Sequence, residues 1–168
     1  MGCPTPAQQR VFQEYVRAVT EHTERLQRLE QELQEQVTSW RLHPVVDALQ
    51  ALRVVQLTVA VTIVAELGDL SRFDKPSQLM SDLGLIPSEY STGDHRRQGA
   101  ITKTGNAHAR RALIEGAWAY RYPAKVSRHL PVRLEQRPIP LHDISWKAQV
   151  RLCTRYRHLM ARGKHPNR

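Results

Sequence analysis

The sequence predicts an all-α protein, with a long coiled-coil-like N-terminal helix followed by a compact helical domain carrying a helical hairpin and a basic, glycine-rich loop. Three observations support this. Between Pro6 and Trp40 there is no further Pro and no Gly, and apolar side chains recur at steps of three or four. The later apolar runs are each cut by Pro or Gly to the length of one short helix. No stretch alternates convincingly as a strand, and no internal repeat is visible.

The first element spans residues 6–41. Tyr15, Val19, His22, Leu26, Leu29, Leu33, Val37 and Trp40 form one narrow apolar seam, and "EHTERLQRLEQELQEQ" makes the other faces polar. Such a seam belongs to a coiled coil, or to a helix folded back on its own domain. Pro44 marks a break, after which "HPVVDALQALRVVQLTVAVTIVAELGDL" reads as two helices joined tightly around residues 53–57, the second ended by Gly68. Pro76 and Ser77 start a further helix that stops at Gly84. Asn106 is placed to cap the helix in "GNAHARRALIEGAWAYRY", with Ala109, Leu113, Ala117 and Tyr120 as its buried stripe. A proline-broken linker, "PVRLEQRPIPLHD", leads to a last helix, "ISWKAQVRLCTRYRHLMARGK". The implied organisation is a coiled-coil segment at 6–41, a helical domain at 45–128 and a basic C-terminal helix at 129–168.

Charge divides the chain. Residues 1–90 hold 8 basic and 12 acidic side chains, whereas residues 91–168 hold 17 and 4. The C-terminal half is therefore the electrostatic footprint of a polyanion partner. Cys3 and Cys153 give no disulfide framework, which fits a reducing cytoplasm. The longest apolar run, "LTVAVTIVAEL", is interrupted by Thr58, Thr62 and Glu66 and is too short to span a bilayer, so no membrane is expected as a partner. The start, "MGCPTP", has Pro6 where a myristoylation signal wants Ser or Thr.

The stretch "EYSTGDHRRQGAITKTGNAHARR" carries the chemistry. Arg96, Arg97, Lys103, Arg110 and Arg111, with Arg121, Lys125 and Arg128 beyond, are the candidate phosphate contacts. Gly93, Gly99 and Gly105 permit close backbone approach, and the helix that Asn106 opens offers unpaired N–H groups to an anion. Residues 146–168, with seven Lys/Arg and no acid, form a second basic surface. The bland reading of both is a solvated face. Ser91 and Thr92 are adjacent hydroxyls able in principle to attack a phosphodiester. His95, His108, Asp94 and Glu115 show no metal-ligand spacing, and no P-loop, G-x-S-x-G, C-x-x-C or paired-carboxylate pattern occurs.

The motif order "AELGDLSRF", "LGLIPSEY", a hydroxyl before glycine, "RRQGAITKTGN" and "ARRALIEGAW" resembles the C-terminal domain of insertion-sequence transposases of the Piv/MooV DNA-invertase type, from about residue 6 to the end. The resemblance implies a function in transposition and DNA recombination. Those proteins join an N-terminal RuvC-like domain, whose DEDD acidic set holds divalent metal (Mg), through a coiled-coil segment to a helical domain that supplies a serine. The serine attacks DNA and becomes covalently linked to it, guided by a structured bridge RNA within a tetramer.

The family's serine stands immediately before glycine, which makes Thr92 the nucleophile position here and Ser91 the secondary candidate. The added methyl of threonine crowds in-line attack. No acidic tetrad occurs, so the chain is expected to lack the RuvC-like domain, to hold no cofactor and to be inactive alone, as a truncated form. Expected partners are DNA, a guide RNA, a second copy through residues 10–40, and an intact transposase or separate RuvC-like domain. Arg96, Arg97, Lys103, Asn106, Arg110, Arg111 and Arg121 would hold nucleic acid. The alternatives are a binding module that inhibits transposase assembly without chemistry, and a decaying remnant.

Overall fold

The computed structural model describes residues 5–93, 95–125 and 137–164. It is mostly helical, as the sequence predicts. Two compact units are present, Met1–Trp40 and Arg41–Arg168. Cys3 and Arg128 lie outside the described residues.

In the first unit, helix α1 spans Pro6–Thr38. Thr5 Oγ1 accepts from the Gln8 amide at 3.3 Å while Gln8 Oε1 accepts from the Thr5 amide at 2.8 Å, closing a capping box. Pro6 takes the first helical position, where its missing N–H costs nothing. The apolar seam is largely open to solvent: Tyr15, Val19, Leu26 and Leu29 are all exposed, and Val37 is buried.

The second unit begins with α2 (His43–Leu49) and α3 (Leu57–Leu67), the helical hairpin expected from the sequence, joined through residues 50–56. A 3-10 turn (Leu70–Arg72) and α4 (Pro76–Asp82) follow. Next comes a departure from the helical reading. β1 (Pro87–Glu89) and β2 (Gln98–Ile101) pair antiparallel, so the basic loop is the arm of a small β-hairpin. Neither strand packs an apolar face into the core, and without a buried face the sequence has no two-residue alternation to display.

Helix α5 (Ala107–Ala117) runs into a 3-10 turn (Trp118–Arg121). Its stripe is buried at Ala109 and Tyr120 and half-buried at Leu113, but Ala117 is exposed, because at about 100° per residue it stands about 80° round the helix from Ala109. Helix α6 spans Ile139–Ala161, starting inside the expected linker. Pro140 lies in its first turn, where no backbone donor is required, so the "PIP" sequence opens the helix instead of breaking it.

The core gathers Ile63 and Leu67 of α3, Leu83 after α4 and Ala109 of α5, with Leu49, Val59, Leu79, Leu85 and Leu113 packed around them. Helix α6 docks through polar contacts: Ser145 Oγ donates to Ala51 O at 2.6 Å, and Gln149 Nε2 to Lys125 O at 3.3 Å. Arg137 just before it forms a two-point ion pair with Asp47.

Two glycines fix how the hairpin meets the core. A Cβ on Gly84 would lie 2.0 Å from Thr104 O, and one on Gly105 would lie 2.0 Å from Asp82 O. Both glycines also have positive φ, 62° and 78°. Across this contact Lys103 N donates to Gly84 O at 3.0 Å and Asn106 N to Asp82 O at 3.0 Å. Gly84→Ala and Gly105→Ala should each cost about 2–4 kcal/mol, from overpacking plus a strained left-handed alanine. Gly93→Ala, with positive φ but open space around it, should cost only about 1 kcal/mol. Urea denaturation of the three variants checks the ranking, and a Gly105→Ala protein as stable as the wild type contradicts it.

Candidate nucleic-acid interface

The β-hairpin presents both hydroxyls at its tip. Thr92 and His95 exchange two backbone hydrogen bonds of 3.2 Å, and Gly93 after Thr92 has φ 58°. A Gly-Asp pair between two such residues is a turn signal that stands in the sequence. Thr92 is exposed, and its hydroxyl has no hydrogen bond among the described residues.

Ser91 is placed differently. On extended backbone residues two apart share a face, and Ser91 Oγ donates to Glu89 Oε1 at 2.8 Å. Arg96 Nε reaches the same oxygen at 3.3 Å. Glu89 was absent from the sequence-derived site; the i, i+2 spacing from Ser91 was the available signal.

The expected phosphate contacts divide into two groups. Arg97, Lys103 and Arg111 are exposed, and their side chains form no hydrogen bond among the described residues. Lys103 takes a left-handed φ of 58° beside the Gly84 contact, which turns its side chain out to solvent. The second group is engaged within the fold. Arg110 Nη1 donates to Leu83 O at 2.8 Å and to Thr104 O at 3.2 Å, joining the two segments that Gly84 and Gly105 bring together. Arg121 lies 4.7 Å from the Tyr122 ring centroid and 5.9 Å from that of Trp118, and donates to Tyr122 Oη at 2.6 Å. Arg96 is half engaged through Glu89.

The start of α5 is likewise occupied by the protein itself. Asn106 Oδ1 accepts from the Ala109 amide at 2.9 Å, while Asn106 Nδ2 donates to Glu66 Oε2 at 2.8 Å. His108 Nδ1 contacts Glu66 Oε1 at 2.7 Å. The carboxylate from the end of α3 is thus held at this helix N-terminus by the side chains of Asn106 and His108, where its charge is favoured by the helix dipole. The hydrogen bond from Asn106, then that from His108, holds the Glu66 carboxyl below its ordinary value of 4.5. The three glycines also serve local needs: Gly99 makes room for Ser88 Oγ, 2.5 Å from where a Cβ would stand, Gly105 admits the Asp82 carbonyl, and Gly93 forms the turn.

Residues 46–129, from α2 through the hairpin and α5, match the family model described as Transposase IS116/IS110/IS902 family. The chain belongs to this transposase family. Among its relatives, the transposase y4qE of Sinorhizobium fredii is 45% identical over 159 residues, covering 95% of this chain and 37% of that protein. A family 20 transposase of Pseudomonas aeruginosa is 35% identical over 95 residues, 56% of this chain and 27% of that protein. The transposase for insertion sequence element IS1111A of Coxiella burnetii is 34% identical over 71 residues, 42% of this chain and 20% of that protein. The chain therefore spans well under half the length of each of these transposases. The family match holds every candidate site residue of the hairpin and α5, and leaves α1 and α6 outside. Among the described residues no helix is long and apolar enough to cross a membrane.

A depressed carboxyl pKa contributes stability that is fully present above the unfolded value and is lost as pH falls through the folded one. Wild type should therefore be more stable than Glu66→Gln at neutral pH, and the margin should shrink once the pH drops below about 4.5. Thermal melts across that range check this. No margin at neutral pH, or one that widens in acid, contradicts it.

Proposed function

We propose that the chain is the DNA-handling part of an insertion-sequence transposase, holding phosphodiester backbone on Arg97, Lys103 and Arg111 while a hydroxyl at the hairpin tip attacks phosphorus. The observation that carries this reading is the exposed tip, with Ser91 and Thr92 side by side and a carboxylate 2.8 Å from the serine oxygen. In the step, the hydroxyl oxygen forms a bond to phosphorus as the bond to the departing sugar oxygen breaks. The hydroxyl proton passes to an acceptor, and the departing oxygen takes one up. The Glu89 contact favours Ser91 as the attacking group; Thr92, the position implied by the family resemblance, has no such acceptor among the described residues. Arg96 beside Glu89 is placed to offset charge on the phosphoryl oxygens.

The divalent metal implied by the family does not fit the residues present, since among the described residues no three of His, Cys, Asp or Glu come together. No step is routed through it here, and a separate RuvC-like domain or intact transposase is the proposed source of the remaining machinery, with a guide RNA as a further partner. Activity from this chain alone is not expected. The open seam of α1 supports pairing with a second copy through residues 10–40, since Tyr15, Val19, Leu26 and Leu29 are too apolar to remain bare.

The test combines the chain with a matching RuvC-like domain and guide RNA, and reads protein–DNA covalent adducts on denaturing gels. An adduct is expected only with the partner, abolished by Ser91→Ala and retained by Thr92→Ala. An adduct from the unaided chain, or one that survives Ser91→Ala and disappears in Thr92→Ala, overturns the corresponding part of the proposal.

A further inference from the structure

Helix α6 lies beyond the residues matched by the family model, and one of its faces has no use within the fold. Its buried residues, Ser145, Gln149 and Cys153, recur every four positions and turn toward the core. Ser145 bonds Ala51 O, Gln149 bonds Lys125 O and Cys153 Sγ bonds Tyr122 O. At about 100° per residue, the opposite side of the helix carries Lys147, Arg151, Arg155, His158 and Arg162 within an arc of about 80°. All five are exposed. The Lys and Arg members form no ion pair or hydrogen bond among the described residues, and the sequence contains no Asp or Glu after Asp143.

An uncompensated single-sign row repels itself and serves no packing purpose. From Lys147 to Arg162 it extends about 22 Å along the helix, at ~1.5 Å per residue. That equals roughly six base pairs of duplex at ~3.4 Å per phosphate on each strand. We infer that the α6 row is a second DNA-backbone site, separate from the hairpin, which grips duplex phosphates without reading sequence. This inference rests on the DNA reading above and adds a second contact to it. A lipid surface is disfavoured because the side of α6 opposite the cations, which membrane insertion would need, is already packed against Ala51, Tyr122 and Lys125. The row also makes a distinction that bulk charge does not: Arg157 is on the same helix but turned about 140° from Arg162 and outside the arc.

The test measures affinity of the full chain for a short duplex against salt concentration. The proteins compared are wild type, a fourfold variant (Lys147→Gln, Arg151→Gln, Arg155→Gln, Arg162→Gln), Arg157→Gln, and a hairpin variant (Arg97→Gln, Lys103→Gln). Each phosphate contact contributes about 0.9 to the log–log slope. The fourfold variant should flatten the slope by roughly 3–4, and Arg157→Gln should leave it near the wild-type value. Should the fourfold variant fail to fold by circular dichroism, Arg151→Gln and Arg155→Gln taken singly should each remove about 0.9. An unchanged slope in the folded variants, or an equal effect of Arg157→Gln, overturns the inference. Binding of the row to phosphatidylserine vesicles in preference to duplex does so as well. If wild type binds no duplex at all, the proposed function fails with it; if the hairpin variant weakens binding and the fourfold variant does not, only the α6 site falls.

Discussion

The site depends on the close approach of two backbone segments, residues 82–84 at the end of α4 and residues 102–106 before α5. Side chains are excluded from both sides of that contact: Gly84 faces Thr104 O and Gly105 faces Asp82 O, each with 2.0 Å where a Cβ would have to fit. Hydrogen bonds from Thr102, Lys103 and Asn106 to Ile86, Gly84 and Asp82 cross it, and Arg110 spans it with one nitrogen on Leu83 O and Thr104 O. Leu83 is buried in the core beside Ala109, so the contact ties the base of the β-hairpin to the hydrophobic centre of the unit. A short, solvated two-stranded hairpin is marginal by itself; anchoring at its base is what presents Ser91 and Thr92 in a fixed place.

From this constraint follows a division among charged groups that look alike in the sequence. Arg110 and Glu66 act inward, the first on carbonyls and the second on the α5 N-terminus, while the side chains of Arg97, Lys103 and Arg111 make no hydrogen bond among the described residues. Arg96 stands between the two groups because Glu89 engages it. The protein's own Glu66 carboxylate already stands at the α5 N-terminus, so the proposed phosphate binding is assigned to the side chains of the hairpin and of Arg111 rather than to that helix end.

The helices were legible in the sequence because each carries a strong local signal: Asn106 does cap α5, Gly68 and Gly84 do end their helices, and the α2–α3 pair forms the expected hairpin. The strands were not, since a three-residue and a four-residue strand without a buried face leave no pattern, and Pro140 concealed the true start of α6. At the site, the hydroxyls and basic residues were visible as types. Their partners were not, because the Glu66–His108 and Arg110–Leu83 contacts join residues 42 and 27 positions apart, and nothing local in a sequence reports such pairings. Glu89 is the exception, as a neighbour two residues from Ser91.

The most direct measurement compares two adjacent arginines by two readouts, thermal stability and the salt dependence of duplex binding. Arg111→Gln should leave the melting temperature near wild type and flatten the log–log salt slope by about 0.9, as expected for one lost phosphate contact. Arg110→Gln should lower stability by about 1–3 kcal/mol, the cost of losing a charged donor to the part-buried Leu83 carbonyl and to Thr104 O, with the slope of the still-folded protein unchanged. The reverse pattern, a stable Arg110→Gln protein that loses a phosphate contact, would contradict the account of the hairpin anchor.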